Sequence, residues 1–409
     1  MKSVSFSQAI KSVTTVAAAH SLNEETVSLS CATGRYLVSD VKALVDVPAT
    51  DCSRMDGYAI NHQFYRSQQG ASMALGTAIH AGDKSPDQDC SQLAIPVMTG
   101  ALLPPGTDTV VMKEHCLVQG ATITIDHPVN KGDHLRKQGS DLRTGKRIIQ
   151  APRRLTPADL GLLASAGHHE VLVRARPQVA LMMSGDELLQ PGQSLSPGMA
   201  YDANTPMLKA LLEEMGCSVT LLPCLKDDSA AVNKQLSELE TAEYDLIITV
   251  GGVSMGDRDF LPEALQNLGS IVFHKANIKP GFPVLFGQLH SAIFYGLPGN
   301  PVSAFSCLLE LVYPALKILN GHSTGNLMSW PALTTQEIHK SHMRREFMRG
   351  RYTLGASGQL EVTVCGSQAS SRIGSLAEAN CLLVINESQQ DLKEGSQVMI
   401  HPFIQIPAG

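Results

Sequence analysis

The sequence predicts a multidomain α/β and β protein, and three observations lead to that fold class. The chain has 409 residues, which at roughly 100 to 200 residues per domain corresponds to about two to four domains. Its middle third alternates strand-like and helix-like segments, a pattern typical of a mostly parallel sheet covered by helices on both faces. Both flanks contain short β-prone runs separated by Gly, Pro and polar turns, which indicate smaller β-rich domains.

The α/β pattern begins with the apolar run 178–183, which predicts a buried strand ending at the polar turn 184–187. Leucines at helical spacing predict a helix over 204–216, with Asn204 as its cap. Further strands are predicted at 218–222, 245–250, 270–274 and 292–297, and further helices at 229–239, 260–268 and 301–319. Ligands of such sheets bind beyond the C-terminal ends of the strands, so the ligand-binding residues are expected there.

The flanking segments predict separate units. Residues 45 to 144 are rich in Gly, Pro and Asp and predict a β-rich unit. Residues 151–167 predict a helix with Pro157 in its first turn. From about residue 330 onward, a small β barrel or sandwich is predicted by four β-prone segments, 351–354, 359–365, 381–385 and 397–403.

Composition and charge exclude several classes of protein. With 32 Lys plus Arg against 38 Asp plus Glu, the net charge of -6 gives no global field that would attract nucleic acid or an anionic membrane. The nine cysteines form no CxxC pair, which indicates reduced thiols in a cytoplasmic protein. The longest uncharged stretch, 280–309, carries several Pro and Gly residues, so we expect no membrane helix there, and we recognise no secretion signal.

Two glycine-rich loops follow predicted strands and precede predicted helices. The first reads VGGVSMGD over 250–257, and the second reads LPGNPVS over 297–303. Backbone N–H groups at such turns can bind an anion, although a tight structural turn also requires glycine. Lys275 and Lys279 follow the predicted strand 270–274 and can reach the same sheet edge, where they would neutralise a phosphate or oxyanion; the alternative is that they are simply solvated.

Carboxylates recur at turns throughout the chain, at Asp56, Asp141, Asp186, Glu187, Asp227, Asp228, Asp257 and Asp259. Hard oxygen ligands beside a bound phosphate suit magnesium, but Asp is also a common turn residue, so both interpretations remain open at this point. The sequence contains neither an HExxH zinc motif nor a GxSxG nucleophile motif. Zinc catalysis and an acyl-enzyme mechanism therefore have no support.

Several segments, taken in order, resemble the molybdopterin molybdenumtransferase family, which includes MoeA-like proteins and the C-terminal part of gephyrin. These segments are MDGYA at 55–59, MTGA at 98–101, DTVVM at 108–112, GSD at 139–141, SGDEL at 184–188, YD at 201–202, GGVS at 251–254 with Asp259, IKPG at 278–281 and LPGNPVS at 297–303. The resemblance spans nearly the whole chain. Each motif is modest alone, but their order and spacing make the joint match specific.

The resemblance implies four domains and a homodimer whose active site is shared between subunits. The implied domains are a linker domain of residues 1–44 and 145–174, an inserted β-rich domain of 45–144, a three-layer α/β molybdopterin-binding domain of 175–325, and a C-terminal β barrel-like domain of 326–409. It also implies contacts with a molybdopterin adenylyltransferase and with chaperones specific for molybdoenzymes.

The resemblance implies a transferase that inserts molybdenum from molybdate into adenylylated molybdopterin, with Mg²⁺, and releases AMP. The implied catalytic residues are Asp56, Thr99, Asp141, Glu187, Asp227, Asp259, Lys275 and Lys279, of which Glu187, Asp227 and Asp259 would hold the metal. The implied substrate-binding residues are Gly251, Gly252, Ser254, Pro298, Gly299, Asn300, Pro301, Ser303, Arg349 and Ser371. Phe282 stands where family members usually have Lys, which implies one cation fewer near the substrate phosphates.

Two alternative functions follow from the same resemblance. Relatives with a similar α/β domain adenylylate molybdopterin with ATP, but the flanking domains predicted here argue against that reaction. The similar region of gephyrin also anchors receptors, which makes a non-catalytic binding scaffold the second alternative. We expect neither a fused adenylyltransferase domain nor a long linker in this chain, which argues against the scaffold.

Overall fold

The computed structural model describes residues 3–68, 71–253 and 260–403. The chain divides into two compact units. The larger unit consists of Met1–Glu25, Gly34–Val38 and Leu172–Gly409, and the smaller unit consists of Thr26–Thr33 and Ser39–Val171. The boundaries of the four domains expected from the sequence stay a prediction.

In the described residues the α-helices are α1 Phe6–Ala18, α2 His62–Ser67, α3 Pro157–Ser165, α4 Asn204–Glu214, α5 Ser229–Ser237, α6 Leu261–Leu268, α7 Pro301–Cys307, α8 Tyr313–Leu319 and α9 Ile373–Glu378. A π-helical turn, Leu308–Val312, joins α7 to α8. Short 3₁₀ turns lie at Leu29–Cys31, Lys113–His115 and Glu238–Thr241.

The strands up to the start of the α/β sheet are β1 Glu24–Ser28, β2 Val41–Lys42, β3 Cys52–Ser53, β4 Gly57–Ile60, β5 Met73–Leu75, β6 Leu93–Val97, β7 Thr109–Met112, β8 Cys116–Gln119, β9 Thr122–Ile125, β10 Leu135–Arg136, β11 Arg147–Ile149 and β12 Glu170–Arg174. The strands from there to the last barrel strand are β13 Gln178–Met183, β14 Leu188–Leu189, β15 Ala200–Tyr201, β16 Ser218–Leu221, β17 Leu246–Val250, β18 Gly269–His274, β19 Ile278–Lys279, β20 Leu285–Leu289, β21 Ala292–Leu297, β22 Trp330–Thr334, β23 Ile338–His339, β24 Arg345–Leu354, β25 Leu360–Val364, β26 Cys381–Ile385, β27 Asp391–Leu392 and β28 Gln397–Pro402.

The larger unit contains a six-stranded sheet in the order β16-β13-β17-β21-β20-β18. Strand β13 runs parallel to β16 and β17, and β17 runs parallel to β21. Strand β20 is antiparallel to both of its neighbours. The predicted mostly parallel sheet is confirmed, but β20 was not predicted, because its segment LFGQL contains Gly287 and a polar Gln288. Gly287 is required by strand pairing, since a methyl group there would lie 2.0 Å from the carbonyl oxygen of Ser270.

Alternate residues of the central strands face two separate apolar cores. Val179 and Leu181 of β13 pack with residues of α1, α4, α7 and α8. Ala180 and Met182 of the same strand pack with residues of α5 and α6. Because successive side chains of a strand point to opposite faces, helices cover both sides of the sheet and form the three-layer arrangement that the sequence predicted.

The helical run Pro301–Leu319 is the one in the described residues that is long and apolar enough to cross a membrane by length and composition. Within this protein 89% of its apolar window is buried. A core helix of a soluble protein passes the same test of length and composition. Its burial against the sheet explains the apolar composition without a membrane.

The C-terminal region forms a closed five-stranded barrel. Its strands follow the order β24-β25-β22-β28-β26, and β26 pairs again with β24 to close the ring. The predicted barrel is therefore confirmed, with two additions. Strand β24 begins at Arg345 rather than at residue 351, and β22 was not predicted because Pro331 follows Trp330 at its start. The side chains of Val362, Leu383 and Ile400 belong to its apolar core.

The smaller unit contains a mixed six-stranded sheet in the order β7-β4-β6-β5-β9-β8, which confirms the β-rich prediction for this part of the chain. Helix α3 begins at the predicted Pro157. Thr156 and Asp159 form a reciprocal capping box at that end, because the Thr156 hydroxyl accepts from the Asp159 N–H while the Asp159 carboxylate accepts from the Thr156 N–H.

The predicted cap of α4 is wrong by one residue. Asn204 is the first residue inside the helix, and Ala203 occupies the N-cap position without a side-chain cap. The carboxylate of Asp202 instead accepts the N–H of Thr205 at 3.0 Å. This arrangement leaves the side chain of Asn204 available for contacts with a neighbouring loop.

Glu310 in the π-helical turn is fully buried, and its Oε1 lies 2.8 Å from Nδ1 of His401 on β28. Its Oε2 has no hydrogen-bond partner among the described residues. Removing one partner of a buried ionisable pair typically costs about 3–5 kcal/mol. We therefore expect His401→Ala to destabilise the barrel by about that amount, measured by urea unfolding with the fluorescence of Trp330, the single Trp of the sequence.

The matched control is the double variant Glu310→Gln/His401→Ala. Because it leaves no carboxylate buried without its partner, it should recover part of the lost stability. Equal destabilisation of the single and double variants would contradict this account of the pair.

Candidate functional site at the carboxyl edge of the α/β sheet

A cleft of about 500 Å³ opens where the parallel strands β13 and β17 end. Five short segments line it: the turn after β13, the segment that leads into α4, the loop between β16 and α5, the loop after β17 and the loop before α7. The lining residues are Ser184, Gly185, Glu187, Leu188, Ala200, Tyr201, Ala203, Asn204, Asp227, Val250, Gly251, Gly252, Gly299, Asn300 and Pro301. Both predicted glycine loops therefore meet at one cavity, at the sheet edge where ligands of such folds bind.

Gly251 allows the loops to approach each other closely. Its φ is +97°, and a methyl group at its Cα would lie 2.5 Å from the carbonyl oxygen of Ser184. A methyl group on Gly299 would lie 3.6 Å from the Cα of Gly251. The N–H of Gly251 donates to the carbonyl oxygen of Leu297 at 2.9 Å, so this amide completes the sheet instead of facing an anion.

Asn204 is a candidate site residue that the sequence analysis interpreted only as a helix cap. Its side chain is 6% exposed, and Nδ2 donates to the carbonyl oxygen of Gly299 at 2.7 Å. Its Oδ1 has no hydrogen-bond partner in the part of the chain that the structure describes. A buried unpaired acceptor is costly, and because Asn204 lines the cleft, a ligand could supply the missing donor.

Glu187 and Asp227 bring two carboxylates to this cleft. The predicted residues Asp259 and Ser254 lie outside the described residues. Across the described ranges, no group of three His, Cys, Asp or Glu side chains could hold a metal. Mg²⁺ is commonly bound through one or two carboxylates together with water and substrate phosphates, so the observed pair fits such a site rather than an all-protein cage.

Lys275 and Lys279 lie at the same edge of the sheet, after the end of β18. Lys275 has a φ of +83°, and the ring Nε2 of the preceding His274 is 2.8 Å from the carbonyl oxygen of Val253 in the loop after β17. The Lys279 ammonium lies 3.0 Å from Oε1 of Glu346, whose side chain is 5% exposed. The sequence alone does not predict this partner of Lys279.

Arg349 is 1% exposed, and its burial lowers the pKa of its guanidinium. The guanidinium donates to four acceptors in one neighbouring segment, which are the carbonyl oxygens of Ser367, Gln368 and Ala369 and the hydroxyl of Ser375, at 2.8 to 3.2 Å. In this structure Arg349 therefore positions residues 367–371, hereafter the barrel loop, and does not present its donors to the cleft.

The barrel loop reaches the cleft through Ser370. The Oγ of Ser370 accepts from Nδ2 of Asn300 at 3.1 Å, and its carbonyl oxygen accepts the N–H of Val302 at 3.3 Å. The predicted residue Ser371 is exposed beside it. Two other predicted residues, Pro298 and Ser303, are buried and do not line the cavity.

The remaining predicted residues lie in the smaller unit. The N–H and the hydroxyl of Thr99 both donate to Oδ1 of Asp56 at 2.8 Å, and these bonds lower the pKa of Asp56. The ammonium of Lys113 is 3.9 Å from the other oxygen of Asp56. Asp141 pairs with Arg136 at 3.2 Å. The structure thus brings Asp56 and Thr99 together, while Asp141 has a partner of its own.

Three family models match successive parts of the chain. Residues 4–167 match the model described as MoeA N-terminal region (domain I and II), and residues 180–318 match a probable molybdopterin binding domain. Residues 331–403 match the MoeA C-terminal region (domain IV). Together these matches extend over most of the sequence.

Curated relatives and solved structures agree with these matches. The chain is 35% identical over 381 residues to a molybdopterin molybdenumtransferase of Haemophilus influenzae, covering 93% of this chain and 94% of that protein. It is 30% identical over 383 residues to one of Staphylococcus aureus, covering 92% and 90%. The structure is similar to that of a molybdopterin biosynthesis MoeA protein from Pyrococcus horikoshii OT3, with a TM-score of 0.81, 25% identity, and coverage of 98% and 100%.

Gly251→Ala tests whether close packing of the loops forms the cleft. Gly192 provides a matched control, since its φ is also +97° but a methyl group there would meet nothing within 4 Å. Backbone strain of about 1–3 kcal/mol applies to both substitutions, whereas the contact with Ser184 applies to one. We expect Gly251→Ala to lower the thermal unfolding midpoint clearly more than Gly192→Ala in circular dichroism. Equal shifts would contradict the packing argument.

Arg349→Lys tests whether Arg349 acts through the barrel loop. Lysine keeps the charge but lacks the planar fork that binds several carbonyl oxygens at once. We expect faster amide hydrogen exchange over residues 367–371, measured by mass spectrometry. Arg351→Lys is the control, because Arg351 is exposed and, within the described residues, its guanidinium makes one hydrogen bond, from NH1 to the carbonyl oxygen of Glu378 at 3.3 Å. Unchanged exchange in Arg349→Lys would refute the positioning role.

Proposed function

The chain belongs to the MoeA family of molybdopterin molybdenumtransferases, enzymes that insert molybdenum in cofactor biosynthesis, and we propose that its own substrates are molybdate and adenylylated molybdopterin. In the proposed reaction AMP is released with the finished cofactor. Water adds across the phosphoanhydride bond, so that AMP leaves with one phosphate and molybdopterin retains the other. The two thiols of molybdopterin replace one oxide ligand of molybdate, which leaves as water with the two thiol protons, so that no oxidation or reduction occurs.

The observation that carries this proposal is the meeting of carboxylates and cationic residues at one sheet edge. Glu187 and Asp227 line the cleft, and Lys275 and Lys279 follow β18 at the same edge. A pair of carboxylates alone would repel a phosphoanhydride. Glu187 and Asp227 would hold Mg²⁺, which when bound neutralises the charge of phosphate oxygens.

The protein's own groups would orient the substrate. Lys275 and Lys279 stabilise negative charge that remains on the phosphates as the bond breaks. The Oδ1 of Asn204, buried and without a hydrogen-bond partner among the described residues, accepts a hydrogen bond from an N–H of the substrate. Because the loops at Gly251 and Gly299 are closely packed and Asn204 donates to the carbonyl oxygen of Gly299, the side chain of Asn204 is held in place before the substrate arrives.

The proposal includes a homodimer in which the smaller unit of one subunit contributes to the cleft of its partner. Asp56, Thr99 and Asp141 would be that contribution, and the hydrogen bonds from Thr99 already fix the orientation of the Asp56 carboxylate. We also propose a cytoplasmic location, with contacts to a molybdopterin adenylyltransferase and to molybdoenzyme chaperones.

The direct test is AMP release by the purified full-length protein. The protein is incubated with adenylylated molybdopterin and Mg²⁺, with and without molybdate, and AMP is quantified by chromatography. We expect release that depends on molybdate. Consumption of ATP with molybdopterin in the absence of molybdate would favour adenylylation instead, and no turnover under either condition would overturn the proposal.

Glu187→Gln and Asp227→Asn test the carboxylate roles. Losing a charge-assisted interaction of about 1.5–3 kcal/mol corresponds to roughly a 10- to 100-fold slower reaction. We expect both variants to release AMP more slowly by that factor and to need more Mg²⁺ for half-maximal rate.

Asp186→Asn is the matched control for these variants. Asp186 is an exposed carboxylate directly before Glu187 in the chain and does not line the cleft. The control should behave as the unmodified protein. If it slows the reaction as much as Glu187→Gln, general surface charge rather than the two cleft carboxylates accounts for the effect.

A further inference from the structure

Phe282 is an aromatic residue in a position surrounded by cations. The guanidinium carbon of Arg344 lies 5.5 Å from the centroid of its ring, and the ammonium of Lys275 lies 5.9 Å from the same centroid. Both distances are within the range of about 6 Å in which a ring attracts a cation. The ring therefore gathers two positive charges that would otherwise repel each other.

The backbone around this cluster is fixed by close contacts. Gly281 has a φ of +107°, and a methyl group there would lie 2.4 Å from Sγ of Cys307 in α7. Lys279 of β19 pairs with Glu346 of β24 in a parallel register, which brings the segment before β24 beside Phe282. The carbonyl oxygen of Arg344 also accepts from the buried ammonium of Lys340 at 3.1 Å. Arg344 thus reaches Phe282 from a constrained main chain.

Arg344 and Glu346, two residues apart in the chain, differ in their ion pairs. Glu346 is close to two groups, with Lys279 at 3.0 Å from one oxygen and His342 at 3.2 Å from the other. Among the described residues, no carboxylate lies within 4.0 Å of the Arg344 guanidinium. Burial lowers the pKa of His342, and although Glu346 opposes this shift, the neighbouring cations Lys279, Arg344 and Lys340 lower the pKa further. Around His342 three cations therefore act against one carboxylate, Glu346.

We propose that Arg344, held against the ring of Phe282, is an additional anion-binding residue of the candidate site and, together with Lys275, binds a tetrahedral dianion. A guanidinium can contact a ring through its face while the N–H donors in its plane remain for oxyanion oxygens. The dianion is either a phosphate group of the substrate or molybdate, which share charge and shape. This proposal rests on the proposed function, because it assigns a further ligand to the same site.

The site is tested by isothermal titration of the full-length protein with inorganic pyrophosphate and, separately, with tungstate as a stand-in for molybdate. Arg344→Gln should weaken binding of one of these anions roughly tenfold, as expected for a lost charge-assisted hydrogen bond. Phe282→Leu, which keeps an apolar side chain but removes the ring, should weaken the same anion by a smaller factor. If Arg344→Gln loses affinity for pyrophosphate, the dianion at this site is a phosphate group of the substrate. If it loses affinity for tungstate, the dianion is molybdate.

Arg345→Gln is the matched control. It removes the same charge one residue away, but Arg345 faces the ring of Phe6 at 4.7 Å and pairs with Glu387 at 3.2 Å. It should bind both anions as the unmodified protein does. The double variant Phe282→Lys/Arg344→Gln should regain binding, because it returns a cation to the same place. Circular dichroism and Trp330 fluorescence confirm that each variant is folded.

Three results would overturn the proposal. The Arg344→Gln variant could bind both anions as tightly as the unmodified protein, the Arg345→Gln variant could lose as much anion affinity as Arg344→Gln, or the unmodified protein could bind neither anion. These outcomes are separate from a failure of the proposed function. If the variants bind the anions as predicted but the unmodified protein releases no AMP, Arg344 remains an anion ligand and the proposed reaction is overturned instead.

Discussion

The close approach of three turns at the carboxyl edge of the α/β sheet is the constraint on which the candidate site depends. Gly251 has no side chain, and its Cα fits against the carbonyl of Ser184 and near Gly299. The side-chain amide of Asn204, in α4, donates to the carbonyl oxygen of Gly299 at 2.7 Å and so ties the loop before α7 to α4. Because these contacts are made within the protein, the cleft that contains Glu187 is shaped before any ligand binds.

The C-terminal barrel contacts the candidate site through β24 and the barrel loop. At the start of that strand, Glu346 balances Lys279 at 3.0 Å. Farther along, Arg349 fixes the barrel loop, which contacts Asn300 through Ser370. One strand therefore supplies both the ion-pair partner of Lys279 and the arginine that positions the barrel loop against the loop before α7. This coupling explains why a charged segment is buried in the barrel, although burying charge is costly unless it is paired.

Much of the fold could be predicted because β13 and β21 are continuous apolar runs and the glycine loops interrupt the pattern at their ends. Strands β20 and β22 could not be predicted, because they contain Gly287 and Pro331, which are poor strand formers. The pairing of these strands depends on partner strands elsewhere in the fold. The same reason limits the prediction of the site. The segment that contains Glu346 and Arg349 looks like a solvated, charged strand, and its burial depends on partners that are far away in sequence.

The proposed function requires that a carboxylate end and a cationic end of the same sheet edge receive different parts of one substrate. An anomalous difference map of crystals soaked with Mn²⁺, in place of Mg²⁺, and tungstate tests it most directly. We predict a manganese peak beside Glu187 and Asp227 and a separate tungsten peak beside Lys275 and Arg344. Peaks that both lie away from this edge, or tungstate bound only elsewhere, would contradict the claim.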